Sequence, residues 1–368
     1  MPTFRYANPP VIHWGEGCVA EHLAQELDRL HARRVLLVTT RSIAADPSLC
    51  GAVEGAIGRG RLVGRFAAIG QHAPAASVME AAEAARAAGP DALVSVGGGS
   101  PIDAAKAVAF SLATGLDLRE PAALSRARDA RPAGVVPHVA IPTTLSVAEL
   151  SAGAGFSAEG TRAKVGVSAP ELCPAAVLYD GALAIRTPLP LWLSTGIRAV
   201  DHAVETLLAA GEHPLPDAAA LDGLRRLKSG LLRAKGAPGD AAARTECQVG
   251  AWLSYLLPGP AASGLSHTLG KRLGSRHDIP HGVTSCILLP HVLRRLSPLH
   301  PAAAARIARA LDAPDAAQGV ADLVAALELP RRLRDWKLTR ADLVEAVRPV
   351  ATSEHPEGEL IEILEAAW

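Results

Sequence analysis

The chain has 368 residues, 49% of them hydrophobic, with 37 basic and 37 acidic side chains that cancel. That length suffices for a sizeable core and suggests two domains. The balanced charge, without a basic tail or charge block, excludes nucleic acid and an acidic membrane surface as partners, and aromatic residues, 3% of the chain, are too few for base-stacking platforms.

The first stretch, "MPTFRYANPPVIHWGEG", lacks a charged region leading into an apolar segment and does not read as a signal peptide. No apolar run reaches the roughly 18 residues of a membrane helix. Cys18, Cys50, Cys173, Cys247 and Cys286 show no CxxC spacing and are expected as buried, reduced thiols of a cytoplasmic protein. "RVLLVTT" (34–40), "RLVGRFAAIG" (61–70), "DALVSV" (91–96) and "HVAIPTT" (138–144) read as strands. Between them "APAASVMEAAEAARAAG" (73–89) reads as a helix stopped by Gly89, and Pro101 opens another. This alternation predicts an α/β N-terminal domain, a parallel sheet with helices on both faces. "ATGLDLREPAALSRARDARPAG" is expected as a polar surface excursion. Beyond residue 180 apolar residues recur at helical spacing, predicting an all-α C-terminal domain. The expected division is therefore 1–180 and 181–368.

"VGGGSPIDAAK" follows a buried strand and opens a helix. Ser100 suits the N-cap and Pro101 the first helical position. Unpaired backbone N–H groups and the positive helix end make an anion site, and Gly98 and Gly99 let a pyrophosphate approach the backbone. The stretch is neither GxGxxG nor a Walker loop. Asp103 either favours the helix dipole or fixes the phosphate loop or a ribose. "IPTTLSVAELSAGAGFS" repeats the strand-to-turn geometry. Its Thr143, Thr144 and Ser146 either donate to a phosphate or carboxamide or serve structure, at the strand ends where open α/β sheets bind ligands. In the helical half His202, His267 and His281 are candidates for a transition metal or for proton donation.

In this order "GGGSPIDAAK", "IPTT", "GIRAVDHAVE", "SHTLGKRLG" and "PHGVTSCILLPHVL" resemble the iron-containing alcohol dehydrogenase superfamily, and "PTTLSVAELSAGAG" with the histidine helices most resembles its maleylacetate reductase branch. The resemblance runs from "WGEG" (14–17) to "LLPHVL". It implies a dinucleotide-binding domain, a helical domain, hydride transfer in the cleft between them, and a homodimer. The glycine-serine loop would cradle the pyrophosphate of NADH or NADPH, with Thr143 and Thr144 along the cofactor and Lys164 near the nicotinamide ribose.

Two positions depart from the superfamily's pattern. Metal-dependent members hold a divalent ion with one Asp and three His, the Asp four residues before the first His. Here that position is Arg198, which shares a helix face with His202. At about 4 Å a guanidinium repels each unit of cation charge by about 4 kcal/mol at intermediate dielectric. A further family His, four residues beyond His267, is replaced by Lys271. Asp201, one residue from His202, faces about 100° away. Arg198 and Lys271 therefore suit an anionic small-molecule substrate, with Arg198 binding a carboxylate in bidentate fashion or, alternatively, swinging out to an acid such as Glu205. Were a metal present, His202, His267 and His281 would remain to hold it. Thr40 stands where NAD-preferring members carry a ribose-binding Asp, and Arg41 beside it would admit a 2′-phosphate.

The expected activity is metal-independent NAD(P)H-dependent reduction of a carboxylate-bearing enone or carbonyl, with a proton supplied by His202, His267 or His281. The alternatives are a metal-dependent alcohol dehydrogenase, a dehydroquinate synthase-like cyclase, and a non-catalytic nucleotide-binding protein.

Overall fold

The computed structural model describes residues 4, 6, 8–158, 164–256 and 264–368. These form two compact units, one of Tyr6–Thr187 with Asp240–Gln248 and one of Pro188–Gly239 with Val249–Trp368.

The first unit is built on a six-stranded sheet of β1 (Ile12–Trp14), β2 (Val35–Val38), β3 (Leu62–Phe66), β4 (Ala92–Gly97), β5 (His138–Pro142) and β8 (Ala176–Tyr179), in the order β1-β8-β5-β4-β2-β3. Every pairing is parallel. The central strands are largely apolar and buried along their whole length, as a sheet covered on both faces requires; the buried Ser95 and His138 bond each other at 2.7 Å. Alternation sorts their side chains. Leu36, Val38 and Leu93 pack with helices α3 (Ala75–Ala88) and α4 (Gly99–Thr114). Val35, Leu37, Val94, Val96, Val139 and Ile141 pack on the opposite face with α1 (Cys18–Arg29) and α2 (Pro47–Ile57).

Strands and the Ala75–Ala88 helix fall where the pattern places them, and three details differ. β1 and β8 were not anticipated, because runs of three and four residues are too short to show a period. "SAGAGFS" is no simple turn: β6 (Gly153–Ser157) pairs antiparallel with β7 (Lys164–Ser168). The expected surface excursion contains a helix, Pro121–Ala127, whose Ala123 and Ala127 are buried. No disulfide forms among the described residues, and four of the five cysteines are buried.

The second unit is helical. Its main helices are α5 (Leu189–Leu208), α6 (Pro214–Gly236), α8 (Leu265–His277) and α9 (His281–Leu296). Helix α7 (Ala241–Ser254) is divided between the units. Leu269, Leu273, Ile287 and Leu288 form a core with Leu343, Leu360 and Leu364 of the C-terminal helices. No described helix is long and apolar enough to cross a membrane.

Gly282 sets how closely α9 approaches α5. A Cβ there would lie 2.6 Å from the backbone carbon and oxygen of Ser194. Backbone cannot rotate away, so the helices would have to part. The better helix propensity of alanine gains at most about 1 kcal/mol, whereas overpacking costs about 1–3 kcal/mol. Gly282→Ala is therefore expected to lower the urea midpoint; an unchanged or higher midpoint would show that the contact yields.

Candidate active site

In the sheet unit, β4 and β5 end in register, with Gly97 opposite Pro142, so the two loops leave the sheet side by side. Thr143 N donates to Gly97 O at 2.8 Å, and the Thr187 hydroxyl donates to Thr143 O at 2.6 Å. Gly97 has φ 141°, and a Cβ there would meet Pro101 Cγ at 2.6 Å. Only glycine fits. A Cβ on Gly98 would lie 3.2 Å from the Thr144 side chain, and one on Gly99 would lie 3.2 Å from Ser146 Oγ. That hydroxyl is buried and has no hydrogen-bond partner among the described residues.

The N-cap of α4 is Gly98, not Ser100. Ser100 is the second helical residue, where its hydroxyl accepts from His72 N at 3.0 Å, and Pro101 falls at the third helical position, where a missing N–H still costs nothing. Asp103 is committed to an ion pair with Lys106 at 2.9 Å. Lys106, which the sequence reading passed over, is wholly buried. Its ammonium donates to Ala148 O at 2.9 Å and also to Gly153 O, so α4 clamps the loop after β5. Val147 in that loop is buried with φ 56°, an unfavourable left-handed conformation for a β-branched residue. Beside it Glu149 is buried and accepts from the Tyr179 hydroxyl at 2.9 Å, while its Oε2 finds no described partner. Burial pushes the Glu149 carboxyl up to about 7, with the charge of Lys106 opposing. Thr40 precedes the one-turn helix Arg41–Ala44 and exchanges a hydrogen bond with Ser42 at 3.0 Å; Arg41 is exposed. Lys164 opens β7, and its side chain lies outside the described residues.

The helical unit carries a buried polar cluster. Positions 198, 201 and 205 recur at i, i+3 and i+7, so Arg198, Asp201 and Glu205 share one face of α5. Arg198 is 12% exposed; its guanidinium lies 3.8 Å from Asp201 Oδ2 and donates to Ser285 Oγ at 3.2 Å. Ser285 and Ser266 both donate to the same Asp201 oxygen, at 2.7 and 2.9 Å. His267 Nδ1 lies 2.8 Å from Glu205 Oε2 and 3.5 Å from Asp201 Oδ2. Both contacts are ion-pair distances: neither Nδ1 nor Nε2, both buried, makes an aligned hydrogen bond among the described residues. His202 packs against His267, ring centroids 4.3 Å apart, and lies edge-on to Tyr255 at 4.8 Å.

Burial alone would raise Asp201, but the contact with His267 and the charges of His267 and Arg198 hold it below the ordinary carboxylate value. Burial and the neighbouring Asp201 push Glu205 up. Burial and Arg198 oppose protonation of His267, yet Asp201 and Glu205 prevail and raise it.

The anticipated residues are thus only partly brought together. Arg198, His202 and His267 meet. Lys271 is exposed, one turn beyond His267 on α8. His281 opens α9, half-buried, with Nδ1 3.2 Å from where a Gly274 Cβ would stand. Arg198 neither turns outward nor reaches for Glu205; it faces Asp201. The reading of a cationic corner set Asp201 aside and took Glu205 only as an outward partner for Arg198, although the i, i+4 spacing of the two acids puts both on one helix face.

These residues bear differently on the two groups the fold invites. The glycines leave room for a phosphate, and the orphaned Ser146 hydroxyl beside them offers it a donor, so a dinucleotide fits. For a divalent ion the described ligands are already engaged. The one cluster of three potential ligands among the described residues is Asp201, Glu205 and His267, and Arg198 and His267 already balance those carboxylates, with the guanidinium a few ångströms away.

A parallel-sheet unit with a glycine loop and a helical unit with a buried polar cluster are the parts of a family of oxidoreductases. The chain belongs to the iron-containing alcohol dehydrogenase family: residues 9–181 match the family described by that name, and residues 192–361 match its C-terminal domain. It is 30% identical to the maleylacetate reductase of Burkholderia cepacia over 350 residues, 95% of this chain and 91% of that protein. With maleylacetate reductase 2 of Cupriavidus pinatubonensis it shares 34% over 306 residues, 83% of this chain and 77% of the relative. The crystal structure of maleylacetate reductase from Agrobacterium tumefaciens is similar with a TM-score of 0.84 and 28% identity, covering 100% of this chain and 99% of that one.

Proposed function

We propose that the protein is an NAD(P)H-dependent reductase of the maleylacetate reductase type, acting without a metal on a small carboxylate-bearing enone or carbonyl compound. The observation that carries this reading is the internally neutralised cluster of Arg198, Asp201, Glu205 and His267, in which the imidazole Nδ1 faces a carboxylate oxygen at 2.8 Å and Nε2 faces none of the cluster's charges.

A bound reduced nicotinamide supplies the hydride. Gly98, Gly99, Ser100 and Ser146 hold its phosphates, and Thr143 and Thr144 line the path of the chain beyond them. Asp103 acts indirectly, by anchoring Lys106 and through it the loop. Thr40 and Arg41 in place of an acidic residue leave room for the extra phosphate of NADPH. As hydride reaches the substrate's electrophilic carbon, charge develops on its oxygen. His267, held protonated by the two carboxylates, donates from Nε2. His202 and Tyr255 shield that imidazole. Arg198 keeps Asp201 paired. The exposed ammonium of Lys271, on the helix face of His267, is the one that meets the substrate's carboxylate.

Enzyme dialysed against EDTA is expected to oxidise NADH or NADPH with maleylacetate, at a rate that iron or zinc does not raise. His267→Gln is expected to lower kcat by about 10²–10⁴-fold while KM for the dinucleotide stays within a factor of about two. Activity that vanishes with EDTA and returns with iron or zinc would overturn the metal-free part. An active His267→Gln would remove the proton donor.

A further inference from the structure

Glu205 makes three contacts that converge on one place. Its Oε2 accepts from Gly264 N at 2.7 Å, its Oε1 accepts from His267 N at 3.1 Å, and Oε2 also lies 2.8 Å from His267 Nδ1. Gly264 is the N-cap of α8 and supplies no side-chain cap of its own. A carboxylate from α5 therefore does the work usually done by a capping Ser or Asp, satisfying two of the backbone N–H groups that a helix start leaves unpaired. The same carboxylate holds the ring that α8 carries in its first turn. The start of the helix, the position of the His267 backbone and the orientation of its imidazole are thus tied to one side chain. Gly264 is shaped around that side chain, since a Cβ there would lie 2.9 Å from Glu205 Cδ.

We propose that Glu205 is the positioning residue for His267: its carboxylate, 2.8 Å from Nδ1, favours the ring proton on that nitrogen by charge, so that Nε2 is the nitrogen left to exchange protons with the reactant. The second nitrogen of a histidine decides which tautomer the first presents. Free imidazoles of histidine favour the proton on Nε2, so a neutral His267 with its proton on Nδ1 is a state the protein imposes. Asp201 cannot impose it alone. It stands 3.5 Å from Nδ1, and its near oxygen is already shared by two serine hydroxyls. Glu205 is closer and makes no other side-chain contact in the cluster. The proposal rests on the reading of His267 as proton donor, and its test separates the two.

Full-length protein labelled with ¹⁵N-histidine reports the tautomer directly, independently of any substrate. The His267 resonance is assigned by its loss in His267→Gln. In the wild type, neutral His267 is expected to show the Nδ1–H pattern. In Glu205→Gln, whose amide brings no negative charge beside Nδ1, the pattern is expected to shift to Nε2–H. In the maleylacetate assay kcat is expected to fall by about 10–100-fold, with KM for the dinucleotide unchanged. Gly264→Ala, which displaces Glu205 without altering its charge, is expected to move the tautomer the same way and to lower kcat less. A plain capping role predicts a lower melting temperature with tautomer and kcat intact, and that result in Glu205→Gln overturns the proposal. Should His267→Gln itself remain active, the reading of the donor falls instead, while the tautomer measurement still decides what Glu205 does.

Discussion

Arg198→Met is expected to lose about 2–4 kcal/mol of unfolding free energy, read from urea denaturation. Removing one partner of a buried ion pair costs about 3–5 kcal/mol, because the other charge stays behind without compensation. The expectation sits at the lower end here for two reasons. The Arg198–Asp201 separation is 3.8 Å, longer than a direct hydrogen bond, and two serine hydroxyls continue to donate to Asp201 after the guanidinium is gone. Methionine keeps most of the apolar stem, so lost packing contributes little. Arg198→Lys retains a charge without the fork and should lose less. The decisive measurement is a double-mutant cycle with Asp201→Asn. If Arg198 compensates Asp201, the double variant is more stable than the two single losses predict, by about 1–3 kcal/mol. Additive losses would mean that the two charges do not see each other, and the internally neutralised cluster would lose its basis.

Replacing Glu149 should change how stability depends on pH. Its carboxyl is fully buried, and burial lifts it from the ordinary 4.5 to about 7. Below pH 4.5 the group is protonated in both the folded and the unfolded chain. Between 4.5 and 7 only the unfolded chain releases the proton, so the folded state loses ground steadily, and above about 7 the loss is complete. The interval corresponds to roughly 3 kcal/mol. Glu149→Gln can still accept from the Tyr179 hydroxyl and does not titrate. It should match the wild type near pH 4.5 and exceed it by up to about 3 kcal/mol at pH 8. A difference between the two proteins that stays constant across that range would show that Glu149 is ionised throughout, held so by Lys106.

What could be read from the sequence follows from how local each determinant is. The central strands were legible because both faces of a parallel sheet are covered, so Val35–Val38 is apolar throughout and Ala92–Gly97 is broken only by Ser95. The glycine loop was legible as three glycines in a row; Pro101 and a φ of 141° exclude a Cβ at Gly97, and one at Gly98 or Gly99 would crowd Thr144 or Ser146 at 3.2 Å. The hairpin of β6 and β7 was not, since Gly153, Ala154 and Gly155 give no alternation to read. In the site, Arg198, His202 and His267 were found by comparing spacings with a family pattern, and those residues do meet. Asp201 was set aside for facing 100° away from His202. That angle holds around α5, yet it turns Asp201 toward Ser266 and Ser285, which come from helices whose placement no spacing discloses. Lys106 was missed for a related reason. A lysine on an alanine-rich helix reads as a solvated face, and only the arrival of three loop carbonyls makes burying it tolerable.

The left-handed backbone at Val147 gives the nucleotide loop an origin outside its own sequence. A β-branched residue resists that conformation by about 1–2 kcal/mol, so the peptide from Thr143 to Ser151, excised, would relax to another shape. It is the ammonium of Lys106, arriving from a helix some forty residues earlier, that gathers the carbonyls and holds the bend. Such a segment cannot mature piecemeal: affinity for a dinucleotide should appear only once strand, helix and loop have assembled together, which makes nucleotide uptake a faithful gauge of completed folding in this half of the chain.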